Sequence, residues 1–406
     1  MIYRLGTLLI ISITSLSFGQ GSIKDSLIRD AAYFIRQGKR SHDPARALAL
    51  YRKAFALREV KNDENRIAGL RVNMSSSLFS LGRTREAFSE VLTAEMLYRA
   101  NGNKAAQGEV ITLKAGFFAR NRAWAEAEKY YKEALTLEEA AGELRAAIAI
   151  ILHLADLAIE ENELPEALNY LSRSKELSEN IHYKTGLANT YVRLAEVYRR
   201  QQKFSKGERL IIKSALPLFR SSGYKAGRID CFQGLGKIYR DQNRNSEAKW
   251  FFIQANTQAR ALNDMEEVIT SLTNLGRIKI TIGDYGLAKR DFNEADDLAS
   301  KRADLFLMKN VKEAYAELYR QLGNSRASDK WAASVKGLNR SLNLYLAAQL
   351  DSAKMARPNS DPEPVNTQPI YTPPVNPPID NGLIIKIILA GLVAFSVILI
   401  VLKRIK

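Results

Sequence analysis

A forty-residue period runs through most of this chain and limits what it can fold into. The pattern Ala-x3-large-x2-small recurs as Ala47/Tyr51/Ala54, Ala87/Val91/Ala94, Ala127/Tyr131/Ala134 and Ala167/Leu171/Ser174. It continues as Gly207/Ile211/Ser214, Ala248/Phe252/Ala255 and Ala288/Phe292/Ala295. Every step from one first member to the next is forty, except the step from Gly207 to Ala248, which is forty-one. Twelve positions before each set from the second onward lies another small residue: Ser75, Ala115, Ala155, Ala195, Gly236 and Gly276. Small residues let antiparallel helices approach closely, and an aromatic three or four positions along fills the space beside that contact. Turn signals keep the same beat at Asn62-Asp63, Asn101-Gly102, Gly142, Gly223 and Asn263-Asp264. Each unit therefore reads as helix, short turn, helix, short turn.

The residues Leu235-Gly236-Lys237-Ile238-Tyr239 and Leu194-Ala195-Glu196-Val197-Tyr198 precede such sets, and the combination resembles the tetratricopeptide repeat. The resemblance covers roughly residues 24–356 and implies an all-α, right-handed helix-turn-helix solenoid of about eight hairpins. This chain departs from the family in its period of 40 rather than 34, which lengthens each helix, and in lacking the proline that often closes the second helix. The first unit, Asp25–Arg58, carries an insertion around Gly38–Pro44. The eighth is degenerate around Tyr315, Tyr319 and Trp331, and a long last helix from about Ser325 to Ala356 reads as a cap.

Both ends of the chain are apolar. Residues 1–19 read as a secretory signal peptide, with Arg4 as the positive region, a mainly apolar stretch from Leu5 to Phe18, and the small residues Ser17 and Gly19 at the −3 and −1 positions before Gln20. Residues 382–402 read as a transmembrane helix, because the run from Ile387 to Leu402 carries no charge. The basic tail at 403–406 places the C-terminus in the cytoplasm and the repeats outside it. Eight of the eleven prolines lie between Pro358 and Pro378, so residues 357–380 read as a polyproline-type linker. The expected location is a cell membrane crossed once, with the repeats extracytoplasmic, in the periplasm for a Gram-negative bacterium.

Nothing in the sequence points to catalysis. His42, His153 and His182 are too far apart for metal-ligand spacing, and Cys231 is the one cysteine. Gly234-Leu235-Gly236 lacks the third glycine and the preceding strand of a dinucleotide fingerprint, and reads instead as helix packing. The expectation is a non-enzyme with no cofactor, no metal, no nucleic acid and no small-molecule substrate.

Binding remains. The family resemblance implies that the first helix of each hairpin lines a concave face that receives an extended peptide. In the second to fourth repeats the matching positions are Asn73, Ser76, Phe79, His153 and Asp156. In the fifth to seventh they are basic or amide: Arg193, Arg199, Arg200, Gln233, Lys237, Arg240, Asn274 and Arg277. Of the formal net charge of +16, residues 1–19 and 358–406 contribute +1 each, which leaves +14 on the repeats. These cations predict a protein or peptide partner with acidic character. The function expected is a membrane-anchored extracytoplasmic scaffold. The alternatives are the sensory input of a transmembrane signalling system acting through a separate kinase or regulator, and adhesion to an anionic envelope polymer.

Overall fold

The computed structural model describes residues 33–39, 43–57, 63–81, 83–302 and 304–355. The expected signal peptide at 1–19, linker at 357–380, transmembrane helix at 382–402 and basic tail at 403–406 lie outside them. Among the described residues the chain is helical throughout, and no helix is long and apolar enough to cross a membrane.

The helices are α1 (33–39), α2 (Pro44–Ala56), α3 (Glu64–Ser80), α4 (Thr84–Ala100), α5 (Lys104–Arg120), α6 (Trp124–Ala141), α7 (Leu144–Glu160), α8 (Leu164–Asn180) and α9 (Lys184–Arg200). After α10 (Phe204–Leu210), a π-helical turn at Ile211–Ala215 leads into α11 (Leu216–Ser222). The remainder are α12 (Ala226–Asp241), α13 (Asn245–Ala261), α14 (Met265–Thr281), α15 (Tyr285–Lys301), α16 (Leu305–Gln321) and α17 (Ser325–Met355). From α2 to α16 consecutive helices pack on one another, and the first helices of adjacent hairpins also touch: α5 on α7, α7 on α9, α9 on α12, α12 on α14, and α14 on α16.

The turns explain the regularity. Residues in the left-handed conformation occur at Gly102, Arg122, Gly142, Asn162, His182 and Gln202, then at Gly223, Asn243, Asn263 and Gly283. They mark every half-period of twenty, and only the step from Gln202 to Gly223 is longer, by one. The residue after most of them closes a backbone bond to a carbonyl in the last turn of the helix, as in Glu143 N–H to Glu138 O at 2.9 Å and Asp284 N–H to Lys279 O at 2.8 Å. That bond satisfies a carbonyl which the helix end would otherwise strand.

The longer step falls on the π turn. There the Leu216 N–H reaches back to the Ile211 carbonyl, so the helix absorbs one extra residue without losing register beyond it. Pro217 follows at once; a proline ring in a regular α-turn would clash with the carbonyl one turn earlier. The sequence pattern placed Ser214 as the third small residue of this unit. The structure buries Ala215 instead and leaves Ser214 half-buried, because the π turn shifts the inward face by one position.

Alternating small and aromatic residues build the core. Ala127, Ala134, Ala167, Ala248, Ala255, Ala288 and Ala295 are fully buried. At several glycines, Gly236 and Gly276 among them, even alanine would be too large. A methyl on Gly236 would lie 2.5 Å from the Phe252 ring, and one on Gly276 would lie 2.2 Å from the Phe292 ring. The second helix of each of these hairpins sets its phenylalanine into the gap left by glycine on the first.

Candidate functional site

Four first helices converge on one cavity of about 330 Å³. Asp156 and Glu160 come from α7, Arg193 and Glu196 from α9, Asp230, Gln233 and Lys237 from α12, and Glu267 and Thr270 from α14. Ile211, at the start of the π turn, contributes apolar wall.

The charges within and beside this cavity are extensively paired. Arg193 grips Asp156 with two parallel bonds, Nε to Oδ1 and Nη2 to Oδ2, both 2.8 Å. Such forked pairs fix geometry as well as contributing energy. Arg199 forks onto Glu196 at 2.8 and 2.6 Å and also meets Asp241. Arg200 bridges Glu160 at 2.9 Å and Glu196 at 3.2 Å. Arg240 donates twice to the neighbouring Asp241, at 3.0 and 2.9 Å. Although burial opposes ionisation of Glu196, the bonds from Arg199 and Arg200 and the charge of Lys237 hold its carboxyl down at about 2.

The other side of the cavity is different. Asp230 forms no ion pair or side-chain hydrogen bond among the described residues. Burial, with repulsion from Asp156 and Asp264, raises its carboxyl above the usual range against the pull of Arg193 and Lys237. Burial and the charges of Asp230, Asp264 and Glu266 push Glu267 up to about 7. Glu267 accepts from Gln233 Nε2 at 3.3 Å, and the Gln233 carbonyl in turn accepts from Asn274 Nδ2 at 3.1 Å. Lys237 lines the cavity without an ion pair among the described residues.

Of the eight positions expected from sequence, Arg193, Gln233 and Lys237 therefore line the cavity. Asn274 is buried behind Gln233, while Arg199, Arg200 and Arg240 are held by carboxylates around it. Arg277 lies apart, 4.0 Å from Glu317, with its Nε buried and unbonded. The basic stripe that pointed to an acidic ligand is thus largely neutralised, and the cavity presents five carboxylates against two cations. Asp230 and Glu267, missed in the sequence reading, sit three positions before Gln233 and three before Thr270, on the same inward faces.

Among the earlier repeats, His153 stacks on Tyr131 with ring centroids 5.2 Å apart, and burial lowers its imidazole pKa. Asn73 and Ser76 bond back to their own helix at Gly69 O and Val72 O. Phe79 packs 4.5 Å from the guanidinium of Arg120.

Residues 269–302 match the tetratricopeptide repeat family, and the array superposes on solved structures of other helical-repeat proteins. A Rap protein complexed with competence and sporulation factor has TM-score 0.51 at 12% identity, covering 80% of this chain and 99% of that one. The array has a tetratricopeptide-like fold. Aspartyl phosphate phosphatase F from Bacillus subtilis gives TM-score 0.50 at 12% identity, with 70% of this chain and 73% of the other aligned. A STAND-class signal transduction ATPase with a tetratricopeptide repeat sensor, from Pyrococcus horikoshii, gives TM-score 0.48 at 18% identity. The alignment takes in 73% of this chain but spans only 43% of that ATPase. At such identities the likeness of the tetratricopeptide-like array to these proteins is one of fold. No curated protein sequence matches the chain.

Proposed function

We propose that this tetratricopeptide-like array is a non-catalytic scaffold that captures a segment of a protein partner on its concave face, at the cavity between α7 and α14. The observation that carries this reading is a cavity whose walls are preorganised by forked ion pairs while Asp230, Glu267 and Lys237 remain available to a ligand. Fixed side chains lower the ordering cost of binding. Two carboxylates held above their ordinary range gain most from an incoming cation, so the segment favoured here carries a lysine or arginine, with an acidic or carbonyl group for Lys237. A Rap protein solved with competence and sporulation factor offers a precedent for an array of this fold holding a partner.

The signal at 1–19 and the apolar segment at 382–402 support tethering in a membrane with the array on the extracytoplasmic side. The proline-rich residues 357–380 would hold it off the surface. Sensory input through a separate kinase is compatible with this arrangement, since a captured segment is also a signal.

The test uses the full chain in detergent and two synthetic peptides that differ only in a central Lys or Glu. The Lys peptide should bind more tightly, and its affinity should rise between pH 6 and 8 as Glu267, at about 7, loses its proton. The Asp230→Asn/Glu267→Gln double variant should abolish that preference. Equal binding of both peptides at pH 8 would rule out the assignment of ligand charge.

A further inference from the structure

In a solenoid each repeat ordinarily touches only its neighbours. Among the described residues, a contact centred on Arg120 breaks that rule. Arg120, at the C-terminal end of α5, donates from Nη2 to Asp304 Oδ2 at 2.7 Å and lies 3.0 Å from Glu266 Oε1. Asp304 caps the start of α16 and Glu266 lies in the first turn of α14, so both partners belong to hairpins far along the chain. The guanidinium packs between two rings, 4.5 Å from the centroid of Phe79 on α3 and 5.7 Å from that of Phe306 on α16. Asp304 serves two helices at once, since its Oδ1 caps α16 by accepting from the Phe306 and Leu307 N–H groups at 3.1 Å each. It is almost wholly buried, whereas Glu266 is open to water.

The array therefore curls far enough for its third hairpin to meet its seventh and eighth. Of the first helices that line the cavity, α7, α9 and α12 run between the two sides of this contact in chain order, and α14 carries Glu266 itself. Yet α5 does not pack along the body of α14 or α16, so the closure depends on side chains rather than on a helix seam. A closure of that kind can open without disturbing the hairpins on either side.

We propose that Arg120 with Glu266 and Asp304 forms a releasable latch that holds the array curled around its concave cavity, and that admitting a bulky ligand requires its release. The proposal rests on the cavity being the binding site. Its test reads access alone, so failure of the latch and failure of the binding reading are distinguishable. Charge-assisted bonds and the two ring contacts set the closed population, and a local opening of this sort is rare in the native state.

The experiment introduces Thr270→Cys, on the cavity wall, into the full chain in detergent; the buried Cys231 is subtracted with the parent chain. Labelling by a small maleimide and by a maleimide carrying a long polyethylene glycol, comparable in bulk to a small protein, is followed with Arg120 intact and with Arg120→Lys, Arg120→Met or Arg120→Glu. Loss of the guanidinium's charge-assisted bonds in the Met and Glu variants should speed the bulky reagent by about tenfold and leave the small one within about twofold. Arg120→Lys keeps the charge and should stay near the parent rate. Small-angle scattering should show a larger radius of gyration for Met and Glu at unchanged helical content. Should Glu disturb folding, the uncharged Met variant decides. Parent-like labelling and scattering in the Met variant would overturn the latch.

Discussion

The outer and inner faces of this array are both crossed by arginine–carboxylate pairs, and the two sets differ in kind. On the outside, Arg99–Glu133, Glu139–Arg173 and Arg260–Glu294 each join neighbouring second helices, always with the same separation along the chain. They recur with the repeat, and both partners are more than a third exposed. On the inside, Arg193–Asp156, Arg199–Asp241 and Arg200–Glu160 share no common separation along the chain, and the guanidiniums are only 16–24% exposed. A periodic, hydrated pair serves any repeat equally well. A set of pairs with unequal separations at a concave surface marks the place where one part of the array differs from the rest. The π turn, the one lengthened step between turns and Asp230, which has no ion pair among the described residues, all fall in or next to that same stretch.

The comparison can be broken most forcefully beneath both faces. Gly236→Phe would drive a ring into Phe252, where a single added carbon would already lie 2.5 Å from the ring, and should cost about 3 kcal/mol through overpacking. Urea denaturation followed by circular dichroism measures it. A loss below about 1 kcal/mol would mean that the hairpin spreads without resistance.

Arg193→Ala comes next. It strands Asp156 after removing a two-bond grip, and an expected loss of about 2 kcal/mol would set the inner pairs apart from the outer ones. The urea midpoint is again the readout.

Glu267→Gln separates the faces by pH rather than by size. Glu267 has its folded-state pKa raised to about 7, above that of the unfolded chain. The native state therefore holds a proton that the unfolded state gives up, and this group's contribution to stability falls as pH rises from about 4.5 to 7. The glutamine can keep a bond to Gln233 and has no proton to lose. It should raise the melting temperature at pH 8, with a gain on the order of 1–2 kcal/mol, and change little at pH 4. A pH-independent effect would mean that Glu267 titrates normally.

The smallest effect belongs to the outer face. Arg260→Ala removes an exposed pair with Glu294 and should change stability by less than about 0.5 kcal/mol, fading further as salt is added. A loss equal to that of Arg193→Ala would erase the distinction between the two faces.

Much of this could be read from residues alone. Small-residue spacing identified the hairpin seams, since helix contact depends on side-chain size at fixed intervals, and Gly236 and Gly276 meet phenylalanines as that spacing requires. The helix-helix alternation and the solenoid class follow from local periodicity. Even the extra residue was visible as the lengthened step from Gly207 to Ala248. Its consequence was not, because a helix can take up one residue as a loop, a shifted cap or a π turn. The fixed ring of Pro217, in a helix packed on both sides, goes with the last.

The site was legible only in part. The pairing of Arg199 and Arg200 with Glu196 lies within one helix turn and could be counted from spacing. The pairing of Arg193 with Asp156 spans two hairpins, and that of Arg120 with Asp304 spans more than half the array. Local sequence determines which residues a helix turns inward, because side-chain direction follows from backbone periodicity. Which inward charges meet depends on how far each hairpin rotates on the next, a sum of small packing angles that accumulates along the chain. Tertiary structure alone decided that most of a basic stripe was paired with carboxylates, that Asp230 and Glu267 kept no cationic partner among the described residues, and that the third hairpin reached the eighth.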